Sequence, residues 1–189
     1  MHDENTAYVI GVALGDGNLS NPNGRAVRLR IFCDKKYPNI ITNIERSIRI
    51  LLPDNKIGLI DHGTSIDISC YSNRLENILG WKAGKGSKYE QKVCASAWIF
   101  NKKHFIRNCL RGLIETDGSI FRDRTYTHVN FTSIIPTLVL DVERMLAGLG
   151  YSYSTQCVQD RNPRSKPKYV VRVCTRSLDL IKELNINKS

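Results

Sequence analysis

Two stretches of this chain end in the same acidic pair: residues 9–17 read VIGVALGDG and residues 110–118 read LRGLIETDG, closing on Asp16-Gly17 and Asp117-Gly118. Each is an apolar, helix-like run. Gly11 and Gly15 are four residues apart, as are Gly112 and Thr116, so each helix carries a stripe of small residues on one face. Such stripes let two backbones come close. If the helices pack about a pseudo-twofold axis, Asp16 and Asp117 emerge side by side at the two C-terminal ends. Gly17 and Gly118 are then expected to leave the helices in the left-handed conformation. Neighbouring carboxylates at the negative ends of two helix dipoles repel one another and require a positive partner. Mg2+, held by carboxylate, carbonyl oxygen, water and substrate phosphate, meets that need, and two such ions clamp a phosphodiester displacement well. One Asp-Gly is an ordinary helix stop. Two acids at equivalent positions of a repeat are harder to explain by chain reversal alone.

The elements that must position these acids recur in the same order. After each Asp-Gly comes a polar strand, then an alternating strand (25–33 and 127–133), then a proline opening an amphipathic helix at Pro38 and Pro136. Two more strands (about 56–61 and 65–71; about 151–159 and 168–175) and a closing helix follow in each half. The fold class is therefore α+β: a tandem pseudo-twofold repeat of αββαββα units with two antiparallel sheets. Residues 1–80 form the first unit and 98–189 the second, with 81–97, which holds Gly84, Gly86 and four lysines, as the linker.

Both motifs resemble LAGLIDADG, the second closely at Leu110, Gly112, Leu113, Ile114 and Thr116-Asp117-Gly118. With the repeated element order, the resemblance covers essentially the whole chain. It points to the monomeric two-motif branch of the LAGLIDADG homing endonucleases, often encoded within archaeal or organellar introns. The resemblance implies a saddle of two sheets on double-stranded DNA, staggered cutting across the minor groove with 3′ overhangs, and a role in intron mobility. It implies Asp16 and Asp117 as metal-binding catalytic residues, with the carbonyls of Gly15 and Thr116 completing the shells. Mg2+ is the expected cofactor, with Mn2+ substituting and Ca2+ binding without efficient cleavage. A polar or basic residue is expected where the second strand meets its helix, at Asp34-Lys35 and Ser133-Ile134, which makes Lys35 the candidate for orienting water or stabilising the transition state. Further basic residues at the last strand-to-helix corners would be Arg74 and Arg176. Without fused splicing-like segments, a free-standing intron product is expected, not an intein.

The charge balance agrees with a polyanionic partner. Lys and Arg number 28 against 18 Asp and Glu, giving +10 and pI near 9.4. Residues 1–97 hold 13 basic and 10 acidic, and 98–189 hold 15 and 8, so both halves would touch it. The alternation at 27–31 puts Arg28 and Arg30 on one strand face, and His128, Asn130 and Thr132 alternate likewise in the second half. These types suit groove contacts, Arg to guanine and Asn to adenine. Arg122 and Arg124 are expected to extend that surface, as is Arg172. The loop carrying Arg161, Arg164, Lys166 and Lys168 suits phosphate contact.

No apolar run is long enough for a membrane span, and the start lacks a signal-peptide layout, so an intracellular, archaeal-type cytoplasmic protein is expected. The six cysteines show no CxxC or Cys/His cluster and read mostly as buried small hydrophobes. No GxxxxGK[ST] phosphate loop is present. The alternative from another class is an RNA-splicing maturase, with the intron RNA as partner, or a noncatalytic DNA-binding relative. Two retained acids argue against a pure binder, since carboxylates repel phosphate.

Overall fold

A computed structural model describes residues 2–159, 162, 165–186 and 188. Helix α1 (Glu4–Gly15) opens on Asp3, whose side chain accepts a hydrogen bond from the Thr6 N–H at 2.7 Å. Every residue from Thr6 to Leu14 is buried, so the body of α1 runs through the core. Its partner is α4 (Lys103–Asp117), entered through a 3₁₀ turn at Ala97–Asn101. No other helix pair packs so extensively. The contact is backbone on backbone: a methyl at Gly11 would overlap the Cys109 carbonyl, and one at Gly112 would lie 2.6 Å from the Tyr8 carbonyl oxygen. The small-residue stripe thus acts as the sequence predicts.

In the first half, β1 (Gly17–Ser20), β2 (Arg28–Asp34), β3 (Ile57–Asp61) and β4 (Ser65–Tyr71) form an antiparallel sheet in the order β1-β2-β4-β3. In the second, β5 (Gly118–Asp123), β6 (Tyr126–Ser133), β7 (Tyr153–Val158) and β8 (Lys168–Val173) repeat it as β5-β6-β8-β7. The prolines start α2 (Pro38–Leu51) and α5 (Pro136–Leu149), and α3 (Leu75–Leu79) and α6 (Ser177–Leu184) close the halves. Registers correspond across the repeat: the row Asn18, Arg30, Ser69, Gly58 is matched by Ser119, Asn130, Arg172, Ser154. A single apolar cluster joins the halves, with Ile10, Ile31 and Ile44 from one and Leu110, Phe131 and Val142 from the other.

One network crosses the seam without a symmetric counterpart. Tyr8 Oη donates to Glu115 Oε2 at 2.7 Å, and Glu115 Oε1 accepts from Arg111 Nε at 3.0 Å. The motifs are offset by 117 − 16 = 101, so the equivalents of Tyr8, Arg111 and Glu115 are Cys109, Ile10 and Leu14, which cannot make these bonds. Burial, with Glu115 alongside, pushes the Tyr8 phenol far above its ordinary value.

Two expectations are corrected. Gly17 and Gly118 are not left-handed: neither has a positive φ, and Gly118 is extended at φ −81°, ψ 158°. Glycine is needed there for space, since a β-carbon would stand 2.5 Å from the carbonyl oxygen of Ala13 or Ile114 in the last turn of its own helix. Of the cysteines, Cys33, Cys70 and Cys109 are buried but Cys94, Cys157 and Cys174 are exposed. Residues 81–97 pack on the body: Trp81, Val93 and Ala95 are buried, the Val93 carbonyl accepts from Thr137 Oγ1 at 2.7 Å, and the Ala95 N–H donates to Asp141 Oδ2 at 2.6 Å.

Candidate active site

Because α1 and α4 touch along their glycines, their C-terminal ends arrive together. The Asp117 carboxyl carbon would lie 3.5 Å from a β-carbon at Gly15, so the second acid packs against the last turn of the first helix. Each acid opens into a cavity walled partly by the other half. The Asp16 cavity is lined by Cys33 and Asp34 at the end of β2 and by Thr116 and Lys188. The Asp117 cavity is lined by Thr132 and Ser133 at the end of β6 and by Gly15 and Lys88.

Neither α1 nor α4 has a basic residue in its last turn. The cations come from elsewhere. Lys88 Nζ, in the segment between the halves, donates to the carbonyls of Ala13 (3.3 Å), Leu14 (2.7 Å) and Gly15. Lys188 Nζ, beyond α6, donates to those of Ile114 (3.3 Å), Thr116 (2.8 Å) and Gly118. Each motif helix thus has a lysine folded back onto its open terminal carbonyls, where the helix dipole is negative.

The four charged groups form one electrostatic unit. Asp16 reaches solvent, yet enough protein surrounds it that desolvation is the largest influence, raising its carboxyl against the pull of Lys88 and Lys188. Asp117, more enclosed, is pushed up to about 6, by burial first and by the Asp16 charge second. Burial lowers both lysines, and the two carboxylates partly offset it.

The predicted basic residues do not converge here. Lys35 is drawn to the β3–β4 hairpin, where its Nζ donates to Asp61 Oδ2 at 2.7 Å. Its neighbour Lys36, paired with Asp34 at 3.0 Å, lines the Asp16 cavity instead. Arg74 lies in a separate cavity with His2, Thr6 and Trp98, at the opposite end of α1 from Asp16. Arg176 is exposed, paired with Asp179 at 2.9 Å and over the Tyr151 ring, and shares no cavity with either acid. The corners that bear Arg74 and Arg176 line cavities that hold neither acid. Lys88 and Lys188 were missed because their contacts span seventy residues or more and no local pattern marks them.

On the sheet faces turned away from the helices, Arg28, Arg30 and Phe32 line up on β2, and His128, Asn130 and Thr132 on β6. Arg30 Nε sits 3.4 Å from the buried Asp67 carboxylate, and Arg172 Nε donates to Asn130 Oδ1 at 3.2 Å. Arg122 is corrected: it pairs with Thr127, on the opposite face from His128, while Phe121 takes the outward position and stacks on His128. Arg124 sits in the hairpin turn at φ 53°, its carbonyl accepting from Arg122 Nε. Lys166, over the Tyr89 ring at 3.6 Å, and Lys168 line the Asp117 cavity. Arg161 and Arg164 lie outside the described residues.

Paired small-residue helices, acids at their ends and two matching sheets define a two-motif LAGLIDADG architecture. Comparison agrees: a family model described as a LAGLIDADG-like domain matches residues 104–184. Among solved structures, I-DmoI in complex with DNA and calcium is similar over 95% of this chain and 86% of that one, at 19% identity and TM-score 0.65. The N-terminal LAGLIDADG domain of DUF199/WhiA is similar over 98% and 84%, at 12% identity and TM-score 0.64. In sequence, the ATP-dependent DNA helicase Hel308 of Thermococcus kodakarensis is 28% identical over 187 residues, 95% of this chain, and the chain spans 16% of that protein's length. Residues 104–184 are thus similar to a LAGLIDADG-like domain, and the chain as a whole shares the two-motif fold of I-DmoI.

Proposed function

We propose that the chain is a site-specific double-stranded DNA endonuclease, dependent on a divalent metal, that makes staggered cuts with 3′ overhangs across the minor groove of a long asymmetric target and so promotes intron mobility. The observation that carries this reading is the placement of Asp16 and Asp117 at the touching ends of α1 and α4 in a basic chain. Solved I-DmoI structures hold target DNA with calcium, magnesium or manganese, in keeping with the same use of the fold.

The donors fit Mg2+. Two carboxylates and the carbonyls of Gly15 and Thr116 are hard oxygen ligands. Among the described residues no three His, Cys, Asp or Glu side chains cluster to hold a metal, so the remaining positions fall to water and substrate phosphate. Bound there, divalent ions would supply Lewis-acid stabilisation of the attacking and leaving oxygens. The outward faces of β2 and β6 would set the DNA register through Arg28, Arg30, His128 and Asn130. Lys166 and Lys168 would hold backbone phosphates at the mouth of the Asp117 cavity. Lys88 and Lys188, held on the helix ends beside the acids, would stabilise the negative charge that develops on the scissile groups, a part first expected of Lys35, Arg74 and Arg176.

The test is Mg2+-dependent cleavage of a randomised duplex library by the wild type and by an Asp16→Asn, Asp117→Asn double variant. The wild type is expected to enrich one long, staggered-cut site, and the variant to bind DNA without cutting. Equal cleavage by the variant would remove the acids from the mechanism. If neither protein cuts but both bind nucleic acid tightly, a maturase or DNA-holding role replaces the nuclease.

A further inference from the structure

Lys88 and Lys188 raise a question of charge balance. Counted by formal charge, the two carboxylates at the acid end contribute −2 and the two ammonium groups +2, so the four cancel. The ammonium groups hold the carbonyl oxygens of Gly15 and Thr116, the main-chain atoms that the proposed metal positions would use. Both lysines are half-buried, and each spreads its three donors over three carbonyls of one helix end, as a bound cation does. Their chain positions also nearly correspond: the two lysines are 188 − 88 = 100 residues apart, against the 101-residue offset of the motifs. The arrangement is therefore built twice, once per half.

We propose that Lys88 and Lys188 are resident counter-cations that exchange with divalent metal, leaving the carbonyls of Gly15 and Thr116 when metal enters. The proposal rests on the reading above that Asp16 and Asp117 bind metal. Two consequences follow from electrostatics. A divalent ion entering while both ammonium groups stay would make the cluster net positive, so the lysines oppose metal binding to the free protein. A DNA phosphate brings the missing negative charge, so metal and DNA should bind cooperatively, with the freed ammonium groups turning to the phosphate. Without metal, the same lysines keep two adjacent carboxylates from repelling across the α1–α4 seam.

The experiment titrates Ca2+ and Mn2+ into the full chain without DNA, by calorimetry and by the shift in thermal unfolding. It compares the wild type with Lys88→Met, Lys188→Met, the double variant, Lys88→Arg and Asp16→Asn/Asp117→Asn. Exchange predicts that the Met variants bind either ion more tightly, by roughly tenfold or more for the double variant. They should also unfold at lower temperature in EDTA and gain more from added ion than the wild type gains. Lys88→Arg, which keeps the charge, should not tighten binding. If the double Met variant does not fold in EDTA, the single variants carry the same comparison. Wild-type binding that the Met variants match or weaken overturns the exchange while leaving the metal site standing. Binding absent in every form, or unaffected by Asp16→Asn/Asp117→Asn, overturns the metal site and the exchange with it.

Discussion

Lys35 and Lys36 are adjacent, yet only Lys36 lines the Asp16 cavity. Strand β2 ends at Asp34, and beyond it the alternation that sorts side chains between two faces no longer holds. Lys35 turns to Asp61 and Lys36 to Asp34 beside the Asp16 cavity. At this scale the face of a side chain predicts its role. Arg28, outward on β2 with its Nε donating to Ser20 Oγ at 3.2 Å, should read a base. Arg28→Ala is expected to weaken DNA binding by about 1–3 kcal/mol for some target variants and little for others. Lys168→Ala should weaken it uniformly and lower the salt slope by about one. Binding isotherms across single-base target variants at several salt concentrations separate the two, and a uniform loss for Arg28→Ala would remove its base-reading role. Asp16 and Asp117 were legible because a repeated motif marked them. Arg122 was misplaced because β5 pairs Phe121, not Arg122, with His128.

Among the elements, the α1–α4 seam sets the geometry of everything at its end. The glycine spacing made that seam legible, and the prolines marked the starts of α2 and α5. What no element-level pattern could show is that Lys88, between the halves, and Lys188, after α6, reach back to the helix ends that carry the acids. Those segments have no periodicity, and their lysines are recognisable only once the helix ends are in place. The seam has little tolerance. Gly11→Ala would drive a methyl into the Cys109 carbonyl, which is backbone and cannot rotate away. We expect a loss of about 1–3 kcal/mol or more. Thermal melts should show it as a drop of several degrees, together with reduced cleavage as the acids separate. A wild-type melting temperature would mean that the helices can part at no cost.

The whole molecule has two pseudo-equivalent halves but one core. Because Ile10 and Ile44 share a continuous apolar cluster with Leu110 and Val142, the halves should not unfold separately. Calorimetry in EDTA is expected to give a single transition whose calorimetric and van't Hoff enthalpies agree, and two resolved peaks would show that each half is stable alone. The basic excess in both halves likewise suits one polyanion lying across the molecule.

The Tyr8–Glu115–Arg111 network gives this architecture a direction in time. If a single ancestral unit once paired with its own copy, every seam residue then faced its twin. Two copies of the present second half would set each Glu115 against Cys109 in place of the tyrosine that now donates to it, and two copies of the first would have no carboxylate for Tyr8. A pair of first halves would leave the buried Tyr8 hydroxyl without its carboxylate, and a pair of second halves would lose the bond that ties Glu115 across the seam. The fusion is therefore a ratchet. Once locked as unlike partners, the two halves were free to drift toward different half-sites.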